Sequence, residues 1–171
     1  QALEGSPLAS LDLCPGPIPV AKLGTALGCL TALTHLSVVY CGWRDLPAQL
    51  TALRRLQHLE ISQGRLGGGS WAPLEALTCI TRLDISLCSL RRPPAPLPTL
   101  TNLAVLDLSF NSELAEAAPL NWQPLQRLVS LTELGLRFCR LTRLPCQLSC
   151  LERLATLDIS RNGPFDKSSW D

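Results

Sequence analysis

The sequence predicts an α/β solenoid, in which a curved parallel sheet lines a concave face and short 3-10 or α turns return along the convex side. Three observations predict it. Thirty-eight of the 171 residues are leucine, while aromatics make up only 5% and methionine is absent, a bias foreign to ordinary mixed globular domains. The pattern L-x-x-L-x-L recurs from Leu8, Leu33, Leu56, Ile80, Leu103, Leu131 and Leu154, at spacings of 25, 23, 24, 23, 28 and 23 residues. Between these cores, six pairs of further leucines sit three residues apart, the first being Leu27 and Leu30 and the last Leu148 and Leu151. A repeat on this scale marks stacked units, none of which can bury its own apolar face alone.

Each core supplies a strand. The second anchor is leucine in all seven frames (Leu11, Leu36, Leu59, Leu83, Leu106, Leu134, Leu157), and the third is Leu13, Val38, Ile61, Ile85, Leu108, Leu136 and Ile159. These two anchors alternate with a polar position, the period of a strand with one buried side. At about 4.8 Å per strand, seven of them span roughly 30 Å. Three positions further on stand Gly16, Cys41, Gly64, Cys88, Asn111, Cys139 and Asn162. An inward-turned Asn, or the weaker and more apolar Cys, satisfies backbone groups that stacking would otherwise bury unpaired.

The three-residue period that follows suits a turn or two of helix, and Pro47 and Pro145 are suited to start such turns because their missing N–H is not needed there. In the longer frames Trp71-Ala72-Pro73-Leu74 and Trp122-Gln123-Pro124-Leu125 share one spacing. Both indoles are expected to cover the wider convex turns. The glycines Gly67, Gly68 and Gly69 are read as loosening a turn, since the Lys-Ser/Thr of a phosphate loop is missing.

These motifs resemble the leucine-rich repeat family, from Leu8 to Asn162, with Leu46-Pro47 and Leu144-Pro145 matching the 23-residue plant or algal intracellular type. Gly16 and Gly64 in the Asn/Cys column, Trp43 in place of leucine and the 28-residue frame depart from it. The resemblance implies a non-enzymatic protein-interaction module. Residues 1–171 read as a single domain of about seven repeats, a piece of a longer chain whose exposed apolar ends are shielded by more repeats, caps or a neighbour.

A net charge of +1 gives no electrostatic reason to expect nucleic acid or an anionic membrane as partner. Residues 23–43 lack Lys, Arg, Asp and Glu, yet their glycines, threonines and His35 dilute the hydrophobicity, so no membrane insertion is expected. Eight cysteines without C-x-x-C spacing, and no glycosylation sequon, point to reduced thiols and an intracellular, cytoplasmic placement. Cys146 and Cys150 are read as a pair of unconstrained thiols on the convex side.

No catalytic constellation, cofactor motif or metal centre is assigned. G-x-S-x-G and H-E-x-x-H are absent. His35 and His58 occupy the same column in adjacent frames with Glu60 nearby, but Arg82 follows in that column and opposes a cation, so the pair is read as solvated or partner-facing.

Partner-binding residues are sought on the concave face. The column between the anchors reads Asp12, Ser37, Glu60, Asp84, Asp107, Gly135 and Asp158, followed two positions on by a mostly serine column. Two readings stand: an acidic stripe for a basic partner, or carboxylates and hydroxyls bonded locally. The next column reads Pro15, Tyr40, Gln63, Leu87, Phe110, Phe138 and Arg161. Tyr40, Leu87, Phe110 and Phe138, with Arg137, Asp84 and Asp107, form the candidate surface for a protein or peptide, because exposed apolar rows are uncommon on unpartnered surfaces. The phenyl rings either project from it or fold over the core's edge. Alternative roles are a structural spacer in a larger complex, or a regulatory domain fused to an enzymatic or signalling one.

Overall fold

The computed structural model describes residues 8–13, 26–40, 42–116 and 119–165. Each of the seven frames contributes one strand: β1 (Ser10–Leu13), β2 (His35–Val39), β3 (His58–Ser62), β4 (Arg82–Asp84), β5 (Val105–Asp107), β6 (Glu133–Gly135) and β7 (Thr156–Asp158). All pair in parallel, in chain order, in one sheet. The register follows the leucines. Leu11 lies opposite Leu36, and the column continues through Leu59, Leu83, Leu106 and Leu134 to Leu157. A one-residue slip would turn each inward leucine to the other face, so the apolar pattern itself specifies the stacking.

The return path is built mainly from 3-10 turns. Segments Ala48–Ala52, Ala72–Ala76, Leu97–Thr99 and Cys146–Cys150 carry the three-residue leucine spacing, in keeping with the period of that helix. Pro47 and Pro145 cap two of them with extended ψ angles of 131° and 125°, and their carbonyls accept the N–H groups of Leu50 and Leu148. The 28-residue frame keeps its strand in register by looping its extra residues into Ser112–Glu116 and Pro119–Arg127.

Inside lies one continuous ladder of leucines. From Leu27 to Leu136 the anchors are almost wholly shielded, whereas Leu8, Leu11 and Leu13 at one end, and Leu154, Leu157 and Ile159 at the other, are only partly buried. Trp122 is buried and Trp71 packs partly buried against the core, in line with the expected cover over the wider turns. Trp43 fills a leucine position completely, with no hydrogen-bond partner for its Nε1.

The Asn/Cys column does what its chemistry predicts. Buried Asn111 accepts the N–H groups of Cys88 and Leu90 at 2.9 and 3.0 Å through Oδ1. Its Nδ2 donates to the carbonyls of Ile85 and Leu108 at 3.1 and 2.8 Å. Asn162 repeats the pattern with Cys139, Leu141, Leu136 and Ile159. The thiols of Cys88 and Cys139 donate to the carbonyls of Ile61 and Leu108. Burial pushes the Cys139 thiol up to about 11. No disulfide joins any of the six described cysteines, and Cys146 and Cys150 are exposed. Cys14 and Cys41 lie outside the described residues.

The glycine run is corrected by the structure. A Cβ on Gly67 would stand 1.8 Å from the carbonyl oxygen of Ser89, and one on Gly69 1.7 Å from that of Arg44. These two glycines let neighbouring frames touch backbone to backbone, and Gly68 alone faces open space. Among the described residues, no helix is long and apolar enough to cross a membrane.

Candidate protein-interaction surface

Where β2 to β7 leave the sheet, the chain turns through a left-handed residue. Tyr40, Gln63, Leu87, Phe110, Phe138 and Arg161 have φ of 58°, 59°, 55°, 61°, 54° and 59°. That conformation costs a non-glycine residue about 1–2 kcal/mol, and bulky residues rarely adopt it. Hydrogen bonds between frames hold it here. Tyr40 N–H donates to the Ser62 carbonyl, Gln63 to Ser86, Leu87 to Ser109, Phe110 to Arg137 and Phe138 to Ser160.

The preceding Asp-x-Ser is part of the same turn. Oδ1 of Asp84, Asp107 and Asp158 accepts the N–H of Ser86, Ser109 and Ser160 at 2.8–2.9 Å. Local bonding therefore accounts for one oxygen of each carboxylate. Gly135 interrupts the acidic column, and a Cβ there would meet Asp107 Oδ1 at 2.5 Å.

The rim residues stay in solvent. Leu87, Phe110 and Phe138 are 42%, 42% and 43% exposed, so the rings project rather than fold away over the core. The two phenyl rings stack, with centroids 5.1 Å apart and planes at 18°. Arg137 lays its guanidinium 5.8 Å from the Phe138 centroid, within the range of a cation–π contact. Asp84 and Asp107 lie opposite each other in register. Burial holds the Asp84 carboxyl above its ordinary range against the opposing Ser86 hydrogen bonds, and the carboxylates of Asp107 and Glu60 add to the rise. Asp158 goes the other way, lowered by its Ser160 hydrogen bonds and by Arg137.

A second feature occupies the sheet face nearer the chain's start. Asp12, His35, His58, Glu60, Arg82 and Asp84 surround an open hollow of about 360 Å³. The imidazoles touch with centroids 4.2 Å apart. Partial burial, His35 and Arg82 all lower the His58 pKa, in that order. Glu60 Oε2 accepts the Ser37 hydroxyl at 2.9 Å. Among the described residues, no group of three or more His, Cys, Asp or Glu is placed to hold a metal ion.

Two solved structures share this architecture. A leucine-rich repeat protein of Leptospira interrogans superposes with a TM-score of 0.67 at 23% identity, covering 89% of this chain and 35% of its own. The functional domain of InlJ from Listeria monocytogenes, which includes a cysteine ladder, gives 0.67 at 18% identity, covering 91% of this chain and 30% of its own. The fold is the leucine-rich repeat solenoid. No family model and no curated protein matches the sequence. This leucine-rich repeat chain spans about a third of the length of each of those two neighbours.

Within the leucine-rich repeat frame, the residues singled out from sequence divide into two groups. Phe110, Phe138, Leu87, Arg137, Asp84 and Asp107 fall on the three adjacent rungs β4 to β6, the apolar ones three residues past the strand ends. Tyr40 stands apart, because Gln63 occupies the rung between it and Leu87. The left-handed backbone of the column was missed. Its residues include no Gly or Asn, the types that announce that conformation. Away from this surface, Arg91 pairs with Glu113 at 2.9 Å in an exposed contact, worth little to stability.

Proposed function

We propose that the chain is a non-enzymatic protein-interaction module that engages a protein or peptide at the rim formed by Leu87, Phe110 and Phe138. Arg137, Asp84 and Asp107 supply polar contacts, and Tyr40 is a separate, outlying contact. One observation carries the reading: two stacked phenyl rings, each about two-fifths exposed, are held on a left-handed backbone that Gly or Asn would adopt at lower cost. An intracellular setting is in keeping with Cys88 and Cys139 standing in the buried ladder as thiols bonded to backbone carbonyls.

The test uses a partner isolated by affinity from the native source, then measured against Phe110→Ala and Phe138→Ala. Val129→Ala serves as control, since Val129 is 58% exposed outside this column. Binding should weaken by about 1–4 kcal/mol for the phenylalanines with folding retained, and Val129→Ala should leave it unchanged. Unaltered affinity in both phenylalanine variants overturns the reading.

A further inference from the structure

The apolar strip is short and closed at both ends. Gln63 precedes Leu87 in its column and Arg161 follows Phe138. Three rungs at about 4.8 Å spacing make it roughly 10 Å long, enough for one large apolar side chain. A folded partner burying the usual ~800 Å² per side would need far more. The strip therefore suits an anchor residue on an extended segment.

The charges beside it lean negative, three carboxylates standing against Arg82, which shares a hollow with Glu60 and Asp84. Glu60 lies opposite Asp84 and Asp84 opposite Asp107, placing three carboxylates on consecutive rungs at strand spacing. Burial raises the Asp84 pKa most, the Ser86 hydrogen bonds oppose it, and the like charges of Asp107 and Glu60 add to the rise. On the far side of the phenyl rings the balance turns positive, with Arg137 against Phe138 and Arg161 on the next rung beside a single carboxylate, Asp158. Asp84 and Asp107 each precede their rim residue by three positions, a span of about 10 Å at most.

Resting on the rim reading above, we infer that the occupant is an extended peptide segment with one large apolar side chain and a lysine or arginine three or four residues from it. The apolar side chain lies over the Phe110–Phe138 stack and Leu87. The cation reaches the carboxylates of β3 to β5, and the arginines beyond Phe138 exclude a second cation from the other flank, which sets the direction of the segment. Complementary charge of this kind acts on specificity and encounter rate as well as affinity.

A random peptide display library selected on the whole chain tests this. The expected consensus is Phe, Trp or Leu with Lys or Arg three or four positions away, and a synthetic consensus peptide should lose about tenfold in affinity on Asp84→Asn/Asp107→Asn. Its binding should also weaken with salt. Phe110→Ala/Phe138→Ala should abolish it. A consensus without the basic residue, no enriched peptide, or an affinity indifferent to the Asp variants overturns this inference. If those peptides still depend on the phenylalanines, the rim reading stands alone. Peptides indifferent to Phe110→Ala/Phe138→Ala overturn both.

Discussion

The side-chain amide of Asn111 closes the backbone of the preceding frame, taking the N–H of Cys88 at 2.9 Å while giving its own hydrogens to carbonyls on both sides of the junction. One side chain thereby replaces the water that two frames lose when they stack. Asn111→Ala would strand the N–H groups of Cys88 and Leu90 and the Ile85 carbonyl in a dry interior, while the Leu108 carbonyl keeps the Cys139 thiol, each unpaired group costing about 1–3 kcal/mol. We expect a loss of roughly 3–5 kcal/mol by urea denaturation. Asn162→Ala should lose less, about 1–2 kcal/mol, because Asn162 is only partly buried at the last rung and water reaches its partners.

The glycine run offers a contrast within three residues. Gly67→Ala and Gly69→Ala would each drive a methyl group into a backbone carbonyl of a neighbouring frame, and backbone cannot swing aside like a side chain. Each should cost about 2–3 kcal/mol. Gly68→Ala meets nothing and should be neutral or slightly stabilising, by about 0.5 kcal/mol. Equal melting temperatures for all three variants would refute the close approach.

Asp84 supplies a pH test. Its carboxyl is raised in the folded chain, so its contribution to stability is complete below the unfolded carboxylate range and is lost as pH rises through the raised value. Asp84→Asn keeps an oxygen for the Ser86 N–H and removes the charge. The variant should melt above wild type at pH 7, by about a degree or two because solvent screens the cluster, and the gain should vanish near pH 3. A gain that persists at low pH would assign the effect to something other than the carboxylate.

The parts of this fold that were legible in sequence are those repeated in every frame. Leu36, Leu59 and Leu83 share a column because each sits at one offset from its frame's first anchor, and the pairing reproduces that offset. Asn111 was legible for the same reason. The role of Gly69 was not, since it depends on where Arg44 of an earlier frame places its carbonyl. Nor was the role of the acidic column, whose two readings differ by a hydrogen bond within the turn that only the folded chain displays. In the candidate surface, adjacency of Phe110 and Phe138 followed from the frame despite the 28-residue spacing. Their positive φ did not, because stacking between frames imposes it over the local preference of phenylalanine.

That imposed conformation yields a reversal of the ordinary ranking of glycine and alanine. At most positions alanine is the more stabilising, because glycine has more freedom to lose on folding. At Phe110, with φ of 61°, alanine keeps the Cβ that clashes in the left-handed region and glycine does not. Both substitutions delete the stack on Phe138, so their difference isolates the backbone. Phe110→Gly should therefore be more stable than Phe110→Ala by about 1 kcal/mol, and the same order should hold at Phe138 and Leu87. Val105 within β5, which is not among the positive-φ residues, should show the usual order, with Val105→Ala above Val105→Gly. Chemical denaturation of the paired variants reads this directly, and Ala above Gly at all three rim positions would mean that the turn relaxes out of the left-handed region once the aromatic or aliphatic side chain is gone.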